Sequence, residues 1–359
     1  MTSTLNPGLS IARLIKKKFP SIKIIFGGVH PTIDPFTLIK NPIVDYIVRG
    51  EGEITLRMLL SGTPPNKIPG VCFHSNNGKD LIHDKAPVIR HLNEIPFPDY
   101  DCFPIEKYID YNKKLRGIRG ISMLVSRGCP YRCSFCAVKE TMAVGWRIHS
   151  PELVVDQMED LKDRFGVQGI WFKDSVLNLK REWMLEFIEE MLRRDLRMEW
   201  QFNTRVDLVR EDELKLAKKA GCVQVDFGIE AGSARMLQKL KKNIAIEQIE
   251  EAVSLAKKYV KVAGFFMIGI PGETREEISA TFKLAKRLQL DKSCWSIFTP
   301  LPGSELYNEL VLEKRVQPSE QLLKMLHFTM TQESYCEVPA NELKELYNKI
   351  NSYFYTQSN

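Results

Sequence analysis

Between about residue 119 and residue 303 the chain alternates short, nearly unbroken apolar runs with stretches of helical periodicity. That alternation limits the possible folds more than any other feature. The strand candidates are residues 120–126, 168–174, 198–203, 223–229, 262–270 and 294–300. Most carry apolar residues at successive positions, which suits strands buried on both faces in a parallel sheet. The gaps hold apolar stripes at helical spacing: Val154, Met158 and Leu161; Met184, Ile188 and Met191; Ile249, Val253 and Ala256; Ile278, Phe282, Ala285 and Leu288. Ser150 before Pro151 predicts a capped helix start, and Thr274 with Glu277 reads as a capping box. Six strands separated by helices imply right-handed βα units in a TIM-like barrel, complete or partial, or an open doubly wound sheet.

At 359 residues the chain is too long for one ordinary domain. Residues 1–85 read as a separate, Rossmann-like unit. It has a helix from Ile11 to Phe19, a strand over 22–28, a loop, and a strand over 44–50 entering the turn Gly50-Glu51-Gly52-Glu53. That is too few βα units for a complete sheet. Residues 86–118 read as a linker, 119–303 as the barrel core, and 304–359 as amphipathic helices marked by Leu306, Leu310, Leu322, Leu326, Leu343 and Leu346.

A 44% hydrophobic and 27% charged composition excludes a disordered or fibrous chain. Fifty-one basic against 45 acidic residues leave +6 spread along the chain, which calls for neither a nucleic-acid nor a membrane partner. The longest apolar run, Val262 to Ile270, is far short of the roughly 20 residues of a membrane span. No basic segment precedes an apolar one at the start, so a cytoplasmic location is expected, with the eight cysteines as thiols or metal ligands.

Three of those cysteines, Cys129, Cys133 and Cys136, form a C-x3-C-x2-C run directly after the first barrel-type strand. Thiolates so close in sequence select zinc, Cu(I) or an iron–sulfur cluster. A structural zinc site needs a fourth ligand, for which His149 is the nearest candidate. A four-iron cluster takes four thiolates, so three leave one iron open to another ligand. Cys72, Cys102, Cys222, Cys294 and Cys336 have no ligand spacing and read as core thiols, and Lys16-Lys17-Lys18 reads as a solvated helix face.

The cysteine run, with Phe135 just before its last member, resembles the signature of the radical S-adenosylmethionine (radical SAM) superfamily. The resemblance continues through Lys173-Asp174-Ser175, Asn203 to Asp207, Gly228 to Ser233, Gly269 to Thr274 and Pro300 to Gly303, each at a strand end. It implies a [4Fe-4S] cluster on Cys129, Cys133 and Cys136, with SAM on the open iron. Reductive cleavage would then give a 5′-deoxyadenosyl radical that takes a hydrogen atom from a small-molecule substrate. Flavodoxin or ferredoxin would supply the electron. For SAM contact it implies Phe135, Asp174, Arg205, Glu230, Gly269 and Pro271. Each has a plainer alternative: core packing for Phe135, helix capping for Asp174, a mutual salt bridge for Arg205 and Glu230, and backbone shaping for Gly269 and Pro271.

Residues 24–60 resemble the C-terminal half of the cobalamin-binding domain that precedes many radical SAM enzymes. That likeness implies candidate cobalamin contacts at Gly27, Gly28, His30 and Thr32. The family's first strands and its D-x-H-x-x-G loop have no counterpart, so the domain is expected to be incomplete. The class carries out methylations of unactivated carbon or phosphorus and ring-forming oxidations of tetrapyrroles. Alternatives are a cobalamin-independent radical SAM enzyme with a degenerate N-terminal domain, and a non-catalytic metal-binding module.

Overall fold

The N-terminal apolar runs build a smaller and more mixed sheet than Rossmann-like grammar predicts. The structure, a computed structural model, describes residues 4–75, 78–317 and 333–357, with side chains through residue 354. A helix over Leu5–Lys18 buries Leu5, Leu9 and Ala12. Strands β1 (Ile25–Phe26) and β2 (Tyr46–Val48) pair in parallel. Strands β3 (Val71–His74) and β4 (Asp80–Ile82) then extend the sheet antiparallel, in the order β1-β2-β3-β4. The strand expected over 22–28 shrinks to two residues, and part of the expected loop after it coils into a helix over Val29–Ile33. The β3–β4 hairpin lies outside the strands expected from the sequence, although Asn77-Gly78 is a hairpin signal. This first unit holds the chain up to Arg90, the loop Gly128–Gly145 and the segment from Thr299.

The second unit holds His91–Arg127, Trp146–Phe298 and the segment from Glu333. What reads as linker contains a regular helix, Ile105–Arg116, that buries Ile105 and Ile109 and stops at Gly117 in the left-handed conformation. Strand β5 (Gly120–Met123) follows, then a short antiparallel ribbon of β6 (Ser126–Arg127) with β7 (Arg147–Ile148). Five more strands alternate with helices: β8 (Gly169–Phe172), β9 (Glu199–Thr204), β10 (Cys222–Glu230), β11 (Lys261–Ile268) and β12 (Lys292–Ile297). They join β5 in one sheet, β5-β8-β9-β10-β11-β12, in which every neighbouring pair is parallel. Spatial order equals chain order, so the sheet is a curled half-barrel and not doubly wound, which would reverse direction from a central strand. The boxed cap is present: Thr274 Oγ1 accepts from Glu277 N while Glu277 Oε2 accepts from Thr274 N. Ser150 caps no helix through its side chain.

The outer face of this sheet packs an aromatic cluster. Phe187, from the helix Arg181–Arg193, lies 5.3 Å from Trp200, 5.7 Å from Phe172 and 5.4 Å from Trp183, centroid to centroid. On the other face, Trp171 crosses β5 where only a glycine fits: a Cβ on Gly120 would stand 2.2 Å from the indole. Leu306, Leu310 and Leu343 are buried as their spacing predicts, while Leu322 and Leu326 lie outside the described residues. Among the described residues no helix is long and apolar enough to cross a membrane. Since Phe187 is fully buried, Phe187→Ala is expected to cost about 3–5 kcal/mol, read from urea unfolding.

Candidate active site

The cysteine loop is closed at its neck by its glycines. Gly128 has φ +83°, and a Cβ there would stand 2.5 Å from the Gly145 carbonyl oxygen. Cys129 bridges to Val144 beside that neck. Within it Cys136 N donates to Cys133 O at 3.1 Å, and Ser134 O accepts from Leu306 N at the start of the helix Glu305–Leu312. The loop's own helix, Val138–Met142, packs on Val29–Ile33, and Lys85 Nζ donates to Glu140 at 2.8 and 2.9 Å. The first unit therefore carries both the cysteine loop and the Gly27–Thr32 loop.

All three loop cysteines are half-buried. The other five vary more than their shared reading as core allowed. Cys72 and Cys222 are buried, and burial pushes the Cys222 thiol up to about 12. Cys102 is exposed, with its thiol on Asp99, and Cys294 and Cys336 are half-buried. Among the described residues no three His, Cys, Asp or Glu side chains are close enough to hold one metal ion. A single zinc would draw its thiolates to about 2.3 Å from one point, whereas a cluster spreads them over separate irons. His149 is stacked on Phe97 at 4.4 Å, and its burial lowers the imidazole pKa.

Gly27 and Gly28 expose bare backbone at the end of β1, and a Cβ on Gly28 would meet nothing within 4 Å. His30 and Thr32, in contrast, are only 2% exposed and bind inward. His30 Nε2 pairs with Thr37 Oγ1 at 2.9 Å. Thr32 Oγ1 donates to Gly28 O and accepts from Gly50 N, while the Arg49 guanidinium ties Thr32 O to His83 O. These residues fix the shape of the glycine loop and its junction with the Gly50–Glu53 turn.

In the second unit the other candidates stand at the C-terminal ends of adjacent parallel strands. Asp174, fully buried past β8, accepts through Oδ1 from Val125 N at 3.0 Å and from Ser126 N and Oγ at 2.5 Å. It splints the chain that runs into the cysteine loop, and burial pushes its carboxyl up to about 6. Arg205 and Glu230 take different hydrogen-bond and ion-pair partners among the described residues. Arg205 binds Asp207 at 2.9 and 3.0 Å and Lys242 O at 2.7 Å, while Glu230 faces Lys242 Nζ at 3.6 Å. Burial raises the Glu230 carboxyl, opposed by Lys242 and Arg205. Glu230 sits at φ +71°, just past a bulge, a backbone conformation that costs energy in a non-glycine residue. Gly228 makes room for it, since a Cβ there would stand 2.8 Å from the carboxylate.

Sequence reasoning assigned no role to Lys242 or Glu273. Glu273 follows the turn through Gly269 and Pro271, and its Oε2 accepts from Gly269 N at 2.7 Å and Ile270 N at 3.0 Å. Its other oxygen, Oε1, is buried with no hydrogen bond among the described residues. A carboxylate three residues past an Ile-Pro-Gly turn was a readable signal. Lys242 carried none.

Comparison with known proteins matches residues 123–285 to the radical SAM superfamily and residues 1–60 to the B12 binding domain. An uncharacterized methyltransferase of Pyrococcus horikoshii is 33% identical over 344 residues, covering 92% of this chain and 74% of that one. The anaerobic magnesium-protoporphyrin IX monomethyl ester cyclase of Rubrivivax gelatinosus is 33% identical over 311 residues, 83% of this chain, which spans only 55% of the cyclase. The structure of TsrM from Kitasatospora setae, a radical SAM methyltransferase with cobalamin and a [4Fe-4S] cluster bound, shares the fold with TM-score 0.74. It is 18% identical, with 97% of this chain and 74% of that one covered.

Burial pushes Glu273 up to about 8, above the ordinary glutamate value of 4.5. Its contribution to stability is therefore full below about pH 4.5 and lost as pH rises through about 8. Glu273→Gln keeps the acceptor oxygen and never ionises. Urea midpoints should show the variant gaining on the parent between about pH 5.5 and pH 8.5.

Proposed function

The chain belongs to the radical SAM superfamily, in the class that joins this core to a B12-binding domain. On that premise we propose that it is a methyltransferase or oxidative cyclase whose Cys129, Cys133 and Cys136 hold a [4Fe-4S] cluster. The observation that carries this reading is the cysteine loop: three half-buried thiols inside a glycine-closed turn, on chain leading directly from the first strand of a parallel half-barrel. Cluster and SAM together would supply a 5′-deoxyadenosyl radical, and the protein's task is to ligate, orient and exclude water.

In this reading Phe135, half-buried beside Cys136, is the SAM contact of the cysteine loop, and in the second unit Gly269 and Pro271 shape the backbone that meets SAM. Arg205 and Glu230 present opposite charges at neighbouring strand ends, suited to the carboxylate and ammonium of a methionyl group. Asp174 acts as a positioning residue through Ser126, three residues before Cys129. Gly27 and Gly28 offer a side-chain-free shelf that fits a flat ring, so cobalamin is assigned to the first unit, with His30 and Thr32 holding the shelf in shape. The electron would come from flavodoxin or ferredoxin.

Anaerobic reconstitution should load about four irons and four sulfides per chain, and reduction with SAM should release 5′-deoxyadenosine. Cys133→Ala should lose both. Zinc without iron, or iron loading unchanged in the variant, would sink the assignment. Hydroxocobalamin retained through gel filtration by the parent, and lost in Gly28→Val, would support the shelf.

A further inference from the structure

The two faces of the parallel sheet differ in a way that cluster and SAM chemistry does not require. Side chains alternate along a strand, and the face carrying Phe172, Trp200, Phe202 and Trp295 is buried. The opposite face is polar and set in rows. One row is Asn203, Asp226, Ala263 and Lys292, neighbours across four strands. The row before it, toward the strand starts, is Trp171, Gln201, Gln224 and Lys261. Lys173 stands two residues past Trp171 and so shares this face. The row after holds Gly228, Phe265 and Cys294, with Phe265 38% exposed.

Charge on this face does not balance. Asp226 is satisfied by neutral amides, accepting from Gln201 Nε2 at 3.1 Å and Gln224 Nε2 at 2.6 Å. Arg116 lies 4.4 Å over the Trp171 ring and donates to the neutral Gln201 Oε1 at 2.9 Å. Lys173 and Lys292 make no hydrogen bond or ion pair among the described residues. Lys173 is reachable by solvent, yet desolvation first, and then Arg116 and Lys292, lowers its pKa, with Asp226 and Cys294 opposing. That combination is what the wall of a concavity produces. A cavity of about 620 Å³ opens at the strand-start end of this face, short of Lys173 and Phe265, lined by six cationic side chains, Arg116 and Lys292 among them, against Glu199 and Asp291. Buried barrel faces ordinarily fill such layers with packed apolar side chains.

We infer that this face is the substrate-recognition surface for an anionic, partly apolar small molecule, whose carboxylate or phosphate oxygens lie among Arg116, Lys173 and Lys292 and whose body lies along Phe265. This deepens the proposed radical SAM reading and rests on it. Asp226 and Glu230 are four residues apart on β10, roughly 13 Å at about 3.3 Å per residue. The anionic group is thus anchored on the order of 13 Å from the strand ends where the reacting part is presented. One molecule would span from the cationic row, past the aromatic row, to the C-terminal edge of the sheet.

The test is calorimetric titration of the reconstituted full-length chain with three probes that share one aromatic body: 1-naphthaleneacetate, 1-naphthyl phosphate and the neutral 1-naphthaleneacetamide. At least one anion should bind tenfold or more tightly than the amide, and which one does so identifies the anionic group. Lys173→Gln with Lys292→Gln should reduce that ratio to about one, Lys173→Arg with Lys292→Arg should restore it, and Phe265→Ala should weaken all three probes. Equal affinity for anion and amide, no saturable binding of any probe, or a ratio unchanged in the double glutamine variant would overturn the inference. None of these titrations needs SAM cleavage, so failure here is distinguishable from failure to release 5′-deoxyadenosine.

Discussion

The parallel register of six strands is the constraint from which the rest of the second unit follows. Parallel neighbours place all their C-terminal ends on one edge, and each strand end is followed by a loop free to carry function. Asp174, Arg205, Glu230 and the Gly269–Glu273 turn therefore stand side by side although up to 99 residues separate them in the chain. The same register orders the opposite face. Asn203, Asp226 and Lys292 form one row because their strands pair without a slip at those positions.

Several groups at the strand ends are held in states that cost stability. Glu230 has a positive φ, and Asp174 and Glu273 are carboxyls almost wholly removed from water. Their backbone donors explain why they persist: each carboxyl accepts from two consecutive N–H groups, those of Val125 and Ser126 for Asp174 and those of Gly269 and Ile270 for Glu273. Asp174 fixes the exit of β5 and Glu273 fixes the turn after β11, so buried acids set the backbone from which the site's loops depart.

Much of the fold was legible because it rests on local periodicity. The six apolar runs became six strands with ends moved by a few residues, and the stripe through Ile278, Ala285 and Leu288 became a buried helix face. The N-terminal unit was less legible. Two-residue and three-residue strands such as Ile25–Phe26 and Tyr46–Val48 carry too little pattern to distinguish a parallel unit from a mixed sheet. The helix Ile105–Arg116 was hidden because its exposed face carries Tyr108, Tyr111 and Leu115, which blur the stripe made by Ile105 and Ile109.

The sequence by itself determined the cysteine spacing, the strand-to-helix alternation and the face on which each strand residue stands, since all three are properties of neighbours along the chain. Tertiary structure alone decided the partners. Glu230 meets Lys242, Asp174 reaches back 48 residues to Ser126, and Lys292 shares a row with Asp226. Charges and hydrogen-bonding groups pair by proximity in space, and no local period encodes which strand will lie beside which. The imbalance of charge on the concave face could be recognised only once the sheet had gathered Arg116, Lys173 and Lys292 around the single carboxylate of Asp226.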